Sequence, residues 1–120
     1  MAKYDLTFAA LKALLAPYEA RLHISAETAT AYMLDGEFNP QIKRPMFFAG
    51  VRAGKTYVSF YLMPVYSNPE LMGRISDGLR RRLHGKSCFN FTRPEPELFD
   101  ELRELVRNGF AAYERLGFVK

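Results

Sequence analysis

The residues whose types and spacing could support chemistry cluster around Cys88, the only cysteine in the chain. His84 and Lys86 precede it closely, and a neighbouring cation favours the thiolate form of a cysteine. Lys86 and Cys88 would share one face of a strand, because side chains two residues apart point the same way. The pattern fits a reactive thiol, and it equally fits a cysteine that packs as a small apolar residue.

No other pattern in the sequence indicates a catalytic or metal centre. There is no CxxC or HExxH ligand spacing, no glycine-rich phosphate loop and no GxSxG nucleophile turn. The two histidines, His23 and His84, are too isolated in the sequence to propose as a ligand pair. We therefore predict no metal site, no cofactor and no enzymatic activity.

The length and composition indicate one domain, residues 1–120. A chain of this size buries roughly two-thirds of its unfolded surface and needs no disulfide framework. A single thiol suits a reducing compartment. Charged residues at Lys3, Asp5 and Lys12 interrupt the first apolar stretch, so we expect no signal or membrane segment. The expectation is a cytoplasmic monomer or homodimer.

The net charge of +4 is mild, and most basic residues are scattered. The exception is the stretch from Arg80 to Lys86, which begins with three consecutive arginines. Cations are favoured at a helix C-terminus, which explains the run without a partner. A clamp for a phosphate or carboxylate is the alternative, because the arginine fork matches such anions. Nucleic acid is not the partner that this distribution favours.

Hydrophobic periodicity predicts a helix over residues 5–16, which Pro17 ends. Alternation predicts a strand over residues 27–34, with Asp35-Gly36 as a turn after it. Further strands are expected at 46–51 and 56–63, joined as an antiparallel hairpin through Ala53-Gly54. The segment from Asp35 to Arg44 is expected to be a loop, which either covers part of the open sheet face or leaves it free.

The second half begins with Asn68-Pro69, a strong helix start. A second short helix is predicted from Ser76-Asp77 to Leu83, with Gly85 as its terminator. The fourth strand follows at 87–92, and a last helix runs to Leu116 and ends at Gly117. The order is helix, three strands, helix, strand, helix. This order predicts an α+β two-layer sandwich, with helices on one face of a mainly antiparallel sheet of about four to five strands.

Alternation within the strands separates two faces of this sheet. Val58, Phe60, Leu62, Phe89 and Phe91 belong under the helices. The opposite face would carry polar and aromatic side chains, with Thr28, Thr30 and Tyr32 of the first strand joining it. It is either an ordinary solvent-facing surface or a binding site. The candidate ligand-binding residues are Tyr57, Ser59, Tyr61, Lys86, Cys88, Asn90 and Arg93, with Lys86 or Arg93 placed to meet an anionic group.

Three segments resemble a bacterial family of unknown function known as YdhG-like: residues 61–66, residues 79–83 and, above all, Gly85-Lys86-Ser87-Cys88-Phe89-Asn90-Phe91. The resemblance runs from the first helix to Tyr113. It implies a fold similar to that of frataxin. One branch of the family is described as an iron chaperone for iron–sulfur cluster and haem assembly, so the resemblance also implies iron binding by carboxylates such as Asp35 and Glu37.

Three functional hypotheses follow. The first is a non-enzymatic module that binds a small ligand or a protein partner through the exposed sheet face. The second is a frataxin-like intracellular iron chaperone. The third is a nucleic-acid accessory module that uses Arg80 to Lys86, whose binding would fall steeply with salt.

Overall fold

The computed structural model describes residues 4–119. Its helices are α1 (Asp5–Leu15), a 3₁₀ helix (Ala16–Arg21), α2 (Met63–Ser67), α3 (Pro69–Gly73), α4 (Asp77–Arg80) and α5 (Pro96–Leu116). Its strands are β1 (His23–Glu27), β2 (Ala31–Asn39), β3 (Arg44–Ala53), β4 (Val58–Leu62), β5 (Leu83–His84) and β6 (Cys88–Phe91).

The strands form one six-stranded sheet in the order β1-β2-β3-β4-β6-β5. Every neighbouring pair is antiparallel. The predicted α+β class is therefore confirmed, but the sheet is larger than the expected four to five strands. The additional strands are β1 and β5, which lie at its two edges.

One face of the sheet forms the hydrophobic core with the helices. Val51 of β3 pairs with Tyr32 on one side and with Phe60 on the other, and Phe60 pairs with Phe89. All four side chains are buried, together with apolar residues of α1 and α5. The predicted division of β4 and β6 into two faces is confirmed, since Val58, Phe60, Leu62, Phe89 and Phe91 all lie in this core. Within residues 4–119, no helix is long and apolar enough to cross a membrane.

The first predicted strand is wrong in its position. Residues 27–34 span a turn, because β1 ends at Glu27 and β2 begins at Ala31. The hydroxyl oxygen of Thr28 accepts hydrogen bonds from the N–H groups of Thr30 and Ala31, at 3.2 and 3.0 Å. This local hydrogen bonding replaces the strand pairing that alternation alone predicted.

The predicted turn at Asp35-Gly36 is also wrong, because both residues lie inside β2. Gly36 is needed there for a different reason. A Cβ at this position would lie 2.5 Å from the carbonyl oxygen of Phe118, near the other end of the chain. The segment from Asp35 to Arg44 is therefore not a loop but most of a hairpin arm, in which β2 continues to Asn39 and pairs with β3.

The helix starts in the second half are confirmed. The side chain of Asn68 accepts hydrogen bonds from the N–H groups of Glu70 and Leu71, and Ser76 accepts one from Leu79. The helix expected to reach Leu83 stops at Arg80, however, since Leu83 and His84 form β5 and pair with β6. Gly85 has a φ of +72° in the turn between these strands and does not terminate a helix.

The remaining predicted boundaries need only small changes. The helix over residues 5–16 is α1, and Pro17 lies in the 3₁₀ helix that follows it. The strand expected at 56–63 is β4, and Met63 already begins α2. The last helix reaches Leu116 and ends at Gly117, as predicted.

Candidate functional site

The face of the sheet opposite the core, here called the open face, carries most of the predicted site residues. Across the strands, Arg52 of β3 pairs with Ser59 of β4, and Ser59 pairs with Asn90 of β6. In the next row, Tyr61 of β4 pairs with Cys88 of β6. The sheet register therefore brings residues that are about thirty positions apart in the chain into one patch.

Asn90 is the centre of a hydrogen-bonded cluster in this patch. Its side-chain oxygen, Oδ1, accepts a hydrogen bond of 2.7 Å from the hydroxyl of Ser59 and one of 3.3 Å from the thiol of Cys88. Its amide nitrogen has no hydrogen-bond acceptor among residues 4–119, and no buried side-chain nitrogen or oxygen there lacks a partner. The amide nitrogen of Asn90 is therefore not fully buried, and its N–H donors are available to a ligand.

The environment of Cys88 does not favour a thiolate. Burial raises the pKa of the thiol, and the nearby hydroxyl of Ser59 offsets this only in part. Neither expected cation contributes to the pKa of the thiol. Lys86 has its Nζ over the ring of Tyr66, and His84, which pairs with Cys88 across the β5–β6 hairpin, is exposed. The structure therefore favours the second of the two sequence interpretations, in which Cys88 packs as a neutral side chain.

Three predicted residues lie at the margin of the open face. Tyr57 comes just before β4 and is 42% exposed. Lys86 lies in the turn before β6, where its Nζ stands 5.3 Å from the centroid of the Tyr66 ring. Arg93 is exposed two residues beyond the end of β6. Of these three, only Tyr57 continues the alternation of Ser59 and Tyr61.

The first strand does not contribute the residues that were expected on this face. Thr28 and Thr30 lie in the turn between β1 and β2, and Tyr32 is fully buried in the core. The hydroxyl of Tyr32 donates a hydrogen bond to the carboxylate of Glu19, and burial raises its pKa. In their place β2 contributes Ala31, opposite Arg52, and Met33, opposite Gly50, and both of these side chains are buried.

Arg52 is the residue of this patch that sequence reasoning missed. It is exposed, and no ion pair links it to another residue of the described range 4–119. The predicted strand ends at Val51, so Arg52 falls just outside it. Extending that strand by one alternation to Ala53 would have placed Arg52 on the same face as Ser59.

The residues of the two other hypotheses are arranged differently. Nε2 of His23 lies 2.9 Å from the carboxylate of Glu37, and Asp35 pairs with His23 across the β1–β2 ladder. Residues 4–119 nevertheless contain no group of three or more His, Cys, Asp or Glu side chains placed to hold a metal ion. In the basic run, Arg82 is engaged by Glu95 through two hydrogen bonds of 2.8 and 2.9 Å.

Comparison of the chain with protein-family models, with curated proteins and with solved structures finds no match in any of the three. The side chains of the open face indicate what it can bind. Asn90 offers amide N–H donors, Arg52 offers a cation, and Tyr57 and Tyr61 offer aromatic rings. Together these groups suit a small planar molecule that carries a carboxylate or a similar acceptor.

Proposed function

We propose that this protein is a non-enzymatic binding module for a small planar anion, held on the open face. The carboxylate of the ligand would accept hydrogen bonds from the amide of Asn90 and pair with Arg52. The planar part would lie against Tyr61, with Tyr57 at the edge. Lys86 and Arg93 would contribute only a positive potential at the margin.

The observation that carries this proposal is the orientation of the Asn90 side chain. Ser59 and Cys88 both donate to its oxygen, which fixes the amide and leaves its N–H groups without an acceptor among residues 4–119. A donor that is held in place before binding loses little conformational entropy when a ligand arrives. The arrangement thus has the preorganisation of a recognition site.

The polarity of the open face favours a small ligand over a protein partner. Protein interfaces are usually built around a buried apolar and aromatic centre. Seven large apolar side chains are exposed in the described range, and of these only Tyr57 belongs to the candidate patch. The central positions are the polar residues Ser59, Cys88 and Asn90. Of these, Asn90 has N–H donors available to a ligand, so the patch suits hydrogen bonding to a polar molecule better than hydrophobic docking.

We also propose that the chain belongs to the YdhG-like family and shares its frataxin-like arrangement. The support is the position of the segment that carries the resemblance. Residues 85–91 form the turn before β6 and then β6 itself, so that Cys88 and Asn90 face the proposed ligand while Phe89 and Phe91 anchor the strand in the core. A family that shares this motif would therefore share both the anchoring of β6 in the core and the ligand-facing residues of the site.

A thermal-shift screen tests the function. The compounds are aromatic carboxylates such as benzoate and 4-hydroxybenzoate, nucleotides and Fe²⁺. The variants are Arg52→Gln, which removes the cation, and Asn90→Asp, which keeps an acceptor for Ser59 and Cys88 but removes the amide donors. Arg115→Gln is the matched control, because Arg115 is an exposed cation in the last turn of α5.

We expect an aromatic carboxylate to raise the melting temperature of the wild-type protein and of Arg115→Gln. The shift should be lost in Arg52→Gln and in Asn90→Asp, since ligand-linked stabilisation requires binding to the folded state. Equal shifts in all four proteins would place the ligand elsewhere. If only Fe²⁺ or a nucleotide gave a shift, the iron-chaperone or nucleic-acid hypothesis would replace this one.

A further inference from the structure

A cavity of about 440 Å³ lies at the end of the sheet where β2 and β3 form the hairpin arm. Its volume is within the range of about 300–1,000 Å³ that is usual for small-molecule sites. Asp35 of β2, Arg44 of β3 and the first residue of α2, Met63, all line it. None of these belongs to the Asn90 cluster, so the cavity is a separate site.

The cavity has an apolar lining with two opposite charges. Ile42, Met46, Phe47 and Met63 provide the apolar surface, and Asp35 and Arg44 provide the charges. Within residues 4–119, no ion pair joins Asp35 to Arg44, and Arg44 pairs with no other carboxylate there. Asp35 has the hydroxyl of Ser25 and the ring of His23 beside it, and neither carries a fixed positive charge that would neutralise the carboxylate. Two charges that line one cavity without neutralising each other are complementary to a ligand that carries both signs.

The cavity is supported by a fixed backbone. The hydroxyl of Tyr113, in α5, donates a hydrogen bond of 2.6 Å to the carbonyl oxygen of Phe47. This bond fixes β3 where its register with β2 is irregular, since Asp35 pairs with Phe47 while Leu34 pairs with Ala49. The irregularity lets Phe48 turn into the core while Phe47 lines the cavity.

We propose that this cavity binds a small zwitterion with an apolar side group, the charge pattern of an aliphatic or aromatic amino acid. The guanidinium of Arg44 would hold the carboxylate, and the carboxylate of Asp35 would hold the ammonium group. Ile42, Phe47 and Met63 would cover the apolar group. Selectivity arises because a ligand with only one charge leaves the other protein charge without a partner.

Isothermal titration with three matched compounds tests this proposal. L-leucine carries both charges, 3-methylbutylamine carries only the ammonium group, and 4-methylpentanoate carries only the carboxylate. We expect each single-charge compound to bind at least about tenfold more weakly than leucine, as is typical when a charged hydrogen bond is lost. Asp35→Asn should weaken the binding of leucine and of the amine while leaving the carboxylate compound unchanged. Arg44→Gln should weaken the binding of leucine and of the carboxylate compound while leaving the amine unchanged.

Asn90→Asp serves as the control that separates this site from the open face, and it should bind leucine as the wild type does. The fold of each variant is checked by circular dichroism. Equal affinity for the three compounds, no heat of binding with the wild-type protein, or unchanged leucine affinity in both Asp35→Asn and Arg44→Gln would overturn the proposal. Leucine binding that is lost in Asn90→Asp would also overturn it, because the ligand would then lie on the open face.

Discussion

The hydroxyl of Ser59 donates a hydrogen bond of 2.7 Å to Oδ1 of Asn90 across the β4–β6 strand pair. Ser59 is only 7% exposed although it lies on the face opposite the hydrophobic core. Its hydroxyl therefore has little access to water. Asn90 thus has two functions in the structure, satisfying Ser59 and presenting its own amide to solvent.

Asn90→Ala should lower the free energy of unfolding by about 1–3 kcal/mol, the usual cost of leaving a buried polar group without its partner. Asn90→Asp should cost less, because a carboxylate oxygen still accepts from Ser59 and from Cys88. Urea denaturation of the two variants makes the comparison. An alanine variant as stable as the wild type would mean that Ser59 finds another partner or water.

Asp35→Asn should stabilise the protein at about pH 7. Burial raises the pKa of Asp35, an effect that His23 and Ser25 only partly offset. The unfolded chain therefore loses the Asp35 proton at a lower pH than the folded chain, and this residue reduces stability as the pH rises through that interval. Asparagine does not ionise, so the stability of this variant does not fall over the same pH interval.

Melting temperatures of the wild type and of Asp35→Asn between about pH 3 and pH 7 measure the effect. The two proteins should melt together at the acid end, where Asp35 is protonated in both states, and should diverge as the pH rises. A variant that is less stable than the wild type at neutral pH would show that the ionised carboxylate has a favourable partner in the folded protein.

Cys88 should react slowly with iodoacetamide near pH 7. Only the thiolate is nucleophilic, and each unit by which the pKa exceeds its ordinary value lowers the thiolate fraction at neutral pH about tenfold. Burial raises the pKa of Cys88, so the native rate should lie well below the rate measured in urea. Alkylation as fast in the native protein as in the denatured one would mean that Cys88 is a reactive thiol in the folded protein.

Gly109→Ala should destabilise the protein even though alanine is the better helix former. A Cβ at position 109 would lie 2.9 Å from Cβ of Pro64, a rigid ring in α2. The overpacking costs about 1–3 kcal/mol, whereas helix propensity returns about 1 kcal/mol. Gly73→Ala is the matched control, because nothing lies within 4 Å of its added Cβ. Thermal denaturation should show a lower melting temperature than wild type for Gly109→Ala only.

Local chemistry was sufficient to predict those parts of the fold that single residues decide. Pro17 has no N–H for the helix, Asn68 caps free N–H groups, and Gly117 has a positive φ at the end of α5. Each effect acts within one turn of chain. The alternation of β4 and β6 was equally local, and it placed Ser59, Cys88 and Asn90 on one face correctly.

Apart from the local turn at Thr28, the main errors have non-local causes. Gly36 looks like a turn residue, but its role is to admit the backbone of Phe118, a contact that no local pattern contains. Tyr32 alternates with apolar neighbours and so appeared to be a surface residue, although its hydroxyl is buried against Glu19 of the 3₁₀ helix. The pairing of Arg52 with Ser59 depends on the register between strands, which one sequence does not reveal.

The most direct test of the open face as a ligand site is a ¹⁵N NMR titration with benzoate. We expect the side-chain amide signals of Asn90 to shift together with the backbone signals of Arg52, Ser59 and Tyr61. All of these shifts should fit one dissociation constant for benzoate. The helical layer should be unaffected. Saturable shifts confined to α1 and α5, or no saturable shift at Asn90, would contradict the proposed function.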